Sequence, residues 1–301
     1  MSVSAVFGSS SAIAALRGHA FDVDLHVEEV KPIHRAFPTV VNEQRYDVAE
    51  LALVTFLQAL DAGRPLSLLP VTLLGRFQHH CLVTLDGHGV ASVGDLAGKR
   101  VGVRSWSQTT GVWVRGILHD DHGIDPARVE WVVYENGHVT GAPDPDFVVR
   151  APAGATVPTD FVAGTLDAAI LGNELPEDPR VRTVLPDPAR SAASWYGRLG
   201  AIPLNHMVVV SDAFAAANGD LVAEICEVIA AAAPATPRIS SSPNFYPAGF
   251  DAIATSLDLA GRYAHEQGII SRPVTADEIR TKVEGLTGRD LGRVEAKATA
   301  A

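Results

Sequence analysis

The chain alternates short apolar runs with amphipathic segments over most of its length. Apolar runs predict strands at residues 2–8, 21–30 and 47–53. The amphipathic segments between and after them predict helices at residues 11–18, 32–45 and 55–63. Alternating strands and helices are typical of a mainly parallel sheet that helices cover on both faces. The pattern therefore predicts an α/β protein.

The middle of the chain continues this pattern and adds polar side chains at strand ends. Further strands are predicted within residues 65–85, interrupted by a loop, and at residues 99–104, 131–136 and 167–172. A helix is predicted at residues 112–119, with Thr109 and Thr110 where its N-cap belongs. Free N–H groups and the positive dipole end at such a helix start favour a carboxylate ligand.

The last half contains a long loop, one unusual strand and several helices. Proline, glycine and aspartate predict a loop over residues 137–158 with a short edge strand at 147–151. Residues 199–210 form a near-continuous apolar strand that carries His206, and the ordinary interpretation of such a histidine is a structural one. Helices are predicted at residues 221–233, 249–268 and 276–288, and the tail after Arg293 is predicted to lack structure.

Composition and charge narrow the class of protein. A chain of 301 residues with 47% hydrophobic and 20% charged residues suits two lobes of ordinary size. No stretch approaches the roughly 20 uncharged apolar residues of a membrane span, and the first ten residues do not resemble a secretory signal, so we expect a cytoplasmic protein without a membrane partner. A net charge of −11 without a basic block argues against nucleic acid as a partner. A few local arginines could still form a pocket for a small anion.

The chain contains two cysteines, Cys81 and Cys226, far apart and each inside an apolar run. This placement predicts buried reduced thiols rather than a disulfide framework or a metal cluster.

Several stretches together resemble one family. They are residues 45–57, 76–83, 95–118, 164–171 and 195–210, which read RYDVAELALVTFL, RFQHHCLV, DLAGKRVGVRSWSQTTGVWVRGIL, GTLDAAIL and WYGRLGAIPLNHMVVV. In order and spacing they resemble the 4,5-dihydroxyphthalate decarboxylase family, and the resemblance covers roughly residues 3 to 270. One departure bears on the substrate: Gln78 stands where the family typically has an arginine, and Arg76 is displaced relative to another. Because arginines bind carboxylates through two parallel hydrogen bonds, the different arginine positions change how a dicarboxylate substrate would be bound.

The resemblance implies a type II periplasmic-binding-protein-like fold with two α/β lobes and a ligand cleft between them. Residues 1–92 and 206–301 would form lobe one, and residues 93–205 would form lobe two. His79, His80 and His206 would then reach one interlobe pocket from the two chain crossings.

The activity that the resemblance implies is decarboxylation of a hydroxylated aromatic carboxylate, a lyase reaction of aromatic compound catabolism. We expect Glu50, His79 and His206 to carry the proton chemistry, because histidine and glutamate can hold pKa values near working pH. Substrate-binding residues are expected at strand ends and at the predicted helix start: Arg76, His80, Arg104, Ser105, Trp106, Gln108, Thr109, Thr110 and Asn173. Trp106 could stack on an aromatic ring.

Alternatives remain open at the level of sequence. No cofactor is expected, but Glu50, His79 and His206 would also make a two-histidine, one-carboxylate set for a divalent metal. The protein could be a solute-binding protein for a small anion that performs no chemistry. It could also be an enzyme of the same fold in menaquinone biosynthesis. A homo-oligomer is compatible with the sequence.

Overall fold

Two sheets organise the chain, which a computed structural model describes at residues 1–172, 175–234 and 243–294. The first sheet contains strands β1 (Ser2–Phe7), β2 (Asp24–Glu29), β3 (Val48–Ala52), β4 (Leu66–Gly75) and β11 (Leu204–Ser211). Their order is β2-β1-β3-β11-β4. β1 pairs in parallel with β2 and β3, whereas β11 runs antiparallel to β3 and β4. A strand from late in the chain therefore lies inside a sheet that begins at the N-terminus.

The second sheet is built from the middle of the chain. Its strands are β5 (Leu82–Leu85), β6 (Arg100–Val103), β7 (Glu130–Val133), β8 (Val149–Arg150), β9 (Ala168–Ile170) and β10 (Val181–Thr183). Their order is β10-β5-β9-β6-β7-β8. β6 lies parallel to β7 and β9, so the carboxyl ends of these three strands meet at one edge of the sheet.

Helices cover both sheets. They are α1 (Ser10–Gly18), α2 (Leu53–Asp61), α3 (Thr109–His122), α4 (Val157–Val162), α5 (Pro188–Leu199), α6 (Asp212–Ala217), α7 (Gly219–Ala231), α8 (Phe250–Glu266) and α9 (Ala276–Thr287). Shorter 3-10 or π turns occur at Ile33–Arg35, Thr39–Glu43, Val93–Leu96 and Pro126–Arg128. The predicted α/β fold with two lobes is confirmed. No helix in the described ranges is both long and apolar enough to cross a bilayer.

Two segments connect the lobes and contact each other. One runs from β4 to β5, and the other runs from α5 to β11. The N–H of Arg76 donates to the carbonyl of Pro203 at 3.1 Å, and the amide of Gln78 donates to Asn205 Oδ1 at 2.5 Å. The hydrogen bonds fix both crossings side by side at the base of the cleft.

Local backbone chemistry moves several predicted boundaries. The helix predicted at residues 32–45 is two short turns, because Pro32 and Pro38 lack the N–H that a continuous helix needs. The strand predicted from residue 199 begins at Leu204, because Leu199 ends α5 and Gly200 follows with a φ of 64°. The tail predicted to lack structure lies mostly beyond residue 294, outside the described residues.

The sheets also differ from the expected lobe boundaries at residues 92 and 206. β5 pairs with β9 and β10, so residues 82–85 belong to the second sheet although we assigned them to lobe one. β11 begins in the first sheet two residues before residue 206. Strand pairing decides both positions, and a single sequence does not display it.

Helix α3 packs closely on α8 and thereby ties the second sheet's helices to the C-terminal helices. Gly116 of α3 faces the Tyr263 ring, where an added Cβ would lie 2.3 Å from a ring carbon. Trp113, one helical turn earlier, donates its indole N–H to the carbonyl of Leu204 at 3.0 Å. A side chain at position 116 would therefore push the two helices apart.

We predict that Gly116→Ala lowers the free energy of unfolding by about 1–3 kcal/mol, because the methyl group overpacks against Tyr263. Gly197→Ala is the matched control, since Gly197 lies inside α5 with no heavy atom within 4 Å of an added Cβ. The control should leave stability unchanged or raise it by up to about 1 kcal/mol. Denaturant unfolding monitored by circular dichroism measures both, and equal losses in the two variants would contradict the packing argument.

Candidate active site

Strand register brings Glu50 and His206 together. In the antiparallel pairing of β3 and β11, Glu50 lies opposite Val208 and His206 lies opposite Ala52. The two side chains are therefore diagonal neighbours on one face of the sheet. His206 Nδ1 lies 2.6 Å from Glu50 Oε1. The pairing of β11 with β4 shifts register around His206, an irregularity that is common beside functional sites.

The other oxygen of Glu50 is held by backbone. Oε2 accepts the N–H of Gly8 at 2.9 Å and the N–H of Ser9 at 2.8 Å, where β1 turns into α1. The Glu50 side chain is only 5% exposed. Burial raises the pKa of Glu50, but the hydrogen bond and charge of His206 and the two backbone N–H groups outweigh it, so the pKa lies below its ordinary value. Glu50 is thus a buried carboxylate whose two oxygens are both occupied.

His206 faces a cavity between the lobes. The cavity measures about 510 Å³, within the range of small-molecule sites. Its lining consists of His34, Arg104, Gln108, Tyr134, Glu135, Ala155, Thr156, Val157, Pro158, Ile170, Leu171, Gly172 and His206. Arg104, Tyr134, Glu135, Leu171 and Gly172 lie just after β6, β7 or β9, at the carboxyl ends where α/β sheets bind ligands. Since Nδ1 of His206 contacts Glu50, Nε2 is the ring nitrogen left for a ligand.

Polar pairs frame the lobe-two side of this cavity. Arg104 Nη1 donates to Glu135 Oε2 at 2.9 Å, and the Arg104 side chain is 26% exposed. Tyr134 donates its hydroxyl to Asp160 Oδ2 at 2.8 Å. Burial and the Asp160 carboxylate both raise the pKa of Tyr134, so the phenol stays protonated. The cavity thus contains one permanent cation, one exposed carboxylate and hydroxyl groups.

Sequence reasoning missed several residues around His206. His34 and Glu135 line the cavity. His138 lies outside the lining, with its Nδ1 3.1 Å from Thr55 Oγ1. Phe37 lies edge-to-face against both His138 and His206, with ring centroids 5.2 Å and 5.6 Å apart. Burial, followed by the charge of Arg104, lowers the pKa of His138 to about 4, and burial also lowers the pKa of His34. These histidines sit in short turns and a loop without periodicity, so no pattern in the sequence indicated them.

The structure does not bring His79 to Glu50 and His206. His79 is 3% exposed, does not line the cavity, and packs edge-on against Trp195 and Phe77 at centroid distances of 5.9 Å and 6.1 Å. Neither ring nitrogen has a hydrogen-bond partner in the described part of the chain. Burial lowers the pKa of His79 to about 4. The expected three-residue constellation is corrected to the Glu50–His206 pair, because His79 turns toward α5 within the crossing segment.

Arg76 and His80 lie near the base of the cleft rather than in the cavity lining. Arg76 Nη2 would come within 3.6 Å of a Cβ placed on Gly172, so its guanidinium approaches the cavity behind that glycine. His80 Nε2 lies 3.6 Å from the Cys81 thiol.

Both cysteines are buried and unbridged, as predicted. Burial raises the pKa of Cys81 and raises that of Cys226 to about 12.

The helix start at α3 differs from its prediction. Gln108 is the N-cap and lines the cavity, whereas Thr109 and Thr110 are the first helical residues. Thr109 Oγ1 accepts the N–H of Val54, and Thr110 Oγ1 accepts from Asn205, so both hydroxyls join the lobes instead of facing the cavity.

Ser105 and Trp106 are buried and do not line the cavity. Trp106 stacks on the guanidinium of Arg115 at 3.7 Å and donates to the carbonyl of Gln267, so it packs the core rather than a ligand. Arg115 itself is fully buried. Asn173 lies outside the described residues.

The alternative metal set is not assembled. Among residues 1–172, 175–234 and 243–294, no group of three or more His, Cys, Asp and Glu side chains is arranged to hold a metal ion. Glu50 and His206 are adjacent, but His79 lies elsewhere.

Comparisons with known proteins agree with the fold. Residues 16–145 match the family model described as NMT1/THI5 like. Two curated relatives are both named 4,5-dihydroxyphthalate decarboxylase. The one from Comamonas testosteroni is 29% identical over 212 residues, 63% of this chain and 63% of the relative. The one from Pseudomonas putida is 30% identical over 197 residues, 59% of this chain and 76% of the relative. The match thus spans less than two thirds of the first relative's length.

Solved structures resemble the whole chain at low identity. The periplasmic aliphatic sulphonate binding protein SsuA from Escherichia coli matches with a TM-score of 0.59 and 13% identity, over 96% of this chain and 99% of that one. The alkanesulfonate-binding protein SsuA from Xanthomonas axonopodis pv. citri, bound to MOPS, matches with a TM-score of 0.53 and 14% identity, over 94% and 90%. These likenesses confirm the predicted periplasmic-binding-protein-like fold.

The position of His79 predicts how stability depends on pH. Its pKa is about 4 in the folded protein and about 6.5 when unfolded, so between these values the unfolded chain binds a proton that the folded chain does not. Stability is therefore lost as pH falls from about 6.5 to 4. We predict that His79→Phe reduces the slope of unfolding free energy against pH near pH 5 by about 1.4 kcal/mol per pH unit.

Urea unfolding at several pH values between 4 and 7 measures this slope. Wild type measured over the same pH range is the reference, so the difference between the two slopes isolates the contribution of His79. A His79→Phe slope equal to that of wild type would show that His79 is hydrated or paired in solution.

Proposed function

The chain belongs to the 4,5-dihydroxyphthalate decarboxylase family, and on that premise we propose that it decarboxylates a hydroxylated aromatic carboxylate bound between its lobes. The observation that carries the proposal is the Glu50–His206 pair, in which a buried carboxylate contacts an imidazole that opens into the interlobe cavity. A protein that only binds an anion has no need of a buried carboxylate behind such a histidine. The cytoplasmic location expected from the sequence stays a prediction.

Loss of CO₂ from an aromatic acid requires a proton at the carbon that bears the carboxylate. We assign this proton to His206 Nε2, the ring nitrogen that Glu50 leaves free. Transfer of the proton to the ring carbon gives a dearomatised intermediate, which a ring hydroxyl stabilises by electron donation. The bond to the carboxylate then breaks, its electron pair returns to the ring, and CO₂ leaves. A proton from water restores His206, so the sum is carboxylate plus proton to arene plus CO₂.

Glu50 acts through His206 and is therefore a positioning residue. Its Oε1 fixes the orientation of the imidazole and stabilises the imidazolium form. The N–H groups of Gly8 and Ser9 keep Glu50 itself ionised, because two charge-assisted hydrogen bonds favour the carboxylate. Glu50 does not line the cavity and takes no direct part in proton transfer to the substrate.

Binding groups in the cavity suit one aromatic acid. Arg104 uses Nη1 for Glu135, which leaves its other guanidinium nitrogens for a substrate carboxylate. Gln108 and Thr156 supply further polar atoms, and Ile170 and Leu171 supply apolar surface for a ring. This division between polar and apolar walls is typical of sites that bind small aromatic ligands.

We predict that His206→Gln lowers kcat for CO₂ release by about 10²–10⁴-fold, because it removes the proton donor. Glu50→Gln should lower kcat toward the smaller end of that range, because the imidazole loses the carboxylate that orients it and balances its charge. CO₂ release from a panel of dihydroxybenzoic and dihydroxyphthalic acids, with and without chelator, measures these effects.

His19→Gln provides the control, since His19 and Glu224 form a similar 2.8 Å pair on the surface. It should retain wild-type kcat. Wild-type protein that binds these acids in calorimetry but releases no CO₂ would favour the solute-binding alternative. Loss of activity on chelation would instead assign the chemistry to a metal.

A further inference from the structure

Glu135 places a negative charge at the site where a substrate carboxylate would bind. It is the second residue after β7, Arg104 is the first residue after β6, and both line the cavity. The carbonyl of Arg104 accepts the N–H of Glu135 at 2.7 Å, while the side chains form their ion pair at 2.9 Å. The Glu135 side chain is 53% exposed, so it can meet a ligand without rearrangement of the core.

The charges around the cavity are already balanced. Arg104 is the one lysine or arginine among the described residues of the lining, and Glu135 neutralises it. Glu50 neutralises a protonated His206. His34 and His138 favour their neutral forms, because burial lowers the pKa of each. One added carboxylate can share Arg104 with Glu135, but a second carboxylate finds no further arginine or lysine in the described lining, since Arg76 approaches it only from behind Gly172.

Much of the remaining lining is apolar and offers no cation to a second acid group. Ala155, Val157 and Pro158 around the start of α4, with Ile170 at the end of β9 and Leu171 after it, present apolar side chains or rings. A carboxylate placed against them would lose hydration without gaining a hydrogen bond.

We propose that Glu135 is a specificity-determining residue that tunes this cavity to hydroxylated aromatic monocarboxylates and disfavours dicarboxylates of the phthalate type. The inference rests on the proposed function for the reaction that follows binding. The charge repulsion itself acts on substrate binding and can be measured without the reaction. Repulsion between Glu135 and a second substrate carboxylate at this partly exposed site weakens binding about three- to tenfold. The name of the curated relatives contains a dicarboxylate, so this chain would differ from them in substrate.

A second ion pair, at the other end of the same two strands, provides a matched control. Arg100 and Glu130 form a 2.9 Å ion pair where β6 and β7 begin, and Arg104 and Glu135 form one of equal length where they end. Glu130 is 44% exposed and does not line the cavity. Glu135→Gln and Glu130→Gln therefore change total charge equally, and only the first changes the charge at the cavity.

The test compares the binding of benzoate with that of phthalate. Both lack the ring hydroxyl that decarboxylation needs, so they report binding alone. Isothermal titration calorimetry at pH 8 should show that wild type binds benzoate more tightly than phthalate. Glu135→Gln should raise the affinity for phthalate relative to benzoate about three- to tenfold, and Glu130→Gln should leave that ratio unchanged. The gain should shrink at high ionic strength, because salt screens partly exposed charges.

A wild type that binds phthalate more tightly than benzoate, or equal ratio changes in the two variants, would overturn the inference. Glu135→Ser serves as a second variant with the same expected direction if the glutamine variant is poorly folded. Preferential CO₂ release from a dihydroxyphthalic acid over a dihydroxybenzoic acid would also overturn it, yet would leave the proposed reaction intact. Benzoate preference in calorimetry without any CO₂ release would support the charge argument and contradict the reaction.

Discussion

The site depends on one buried charge. Glu50 is almost inaccessible to water, and a carboxylate there is costly unless every lone pair finds a partner. The turn from β1 into α1 supplies two N–H groups to one oxygen, and His206 occupies the other. Because each partner comes from a different part of the chain, the first sheet must assemble with β11 between β3 and β4 before this carboxylate is satisfied. The same position of β11 between β3 and β4 orients His206 toward the cavity.

The two lobes contribute different chemistry to that cavity. The first sheet supplies the imidazole and the carboxylate behind it, held rigidly on paired strands. The second sheet supplies Arg104, Tyr134 and Glu135 from segments that begin where parallel strands end. The imidazole on one lobe and the guanidinium, phenol and carboxylate on the other are brought together only when the lobes lie against each other. Hydrogen bonds between the crossing segments, such as Gln78 to Asn205, maintain that arrangement.

Adjacent positions in the chain do not ensure adjacent positions in space, as His79 shows. It lies in a segment that the family resemblance places at the cleft, and its neighbour Arg76 does approach the cavity behind Gly172. His79 instead faces Trp195 and Phe77 and packs in the interior. In an irregular crossing segment, no periodicity fixes the direction of a side chain. Strand pairing does fix this direction for Glu50 and His206, which meet on neighbouring strands, whereas His79 does not join them.

The sequence by itself determined the α/β class and most strands and helices, because hydrophobic periodicity is visible locally. It also marked Glu50 as an ionisable residue in an apolar strand, and the family resemblance added His206. Tertiary structure decided the rest. Strand pairing placed β5 in the second sheet, and packing turned Trp106 and Arg115 into the core. Only three-dimensional proximity joined Glu135 to Arg104 and Phe37 to His206. These contacts link residues that lie 31 or more positions apart, and no local pattern encodes such a distance.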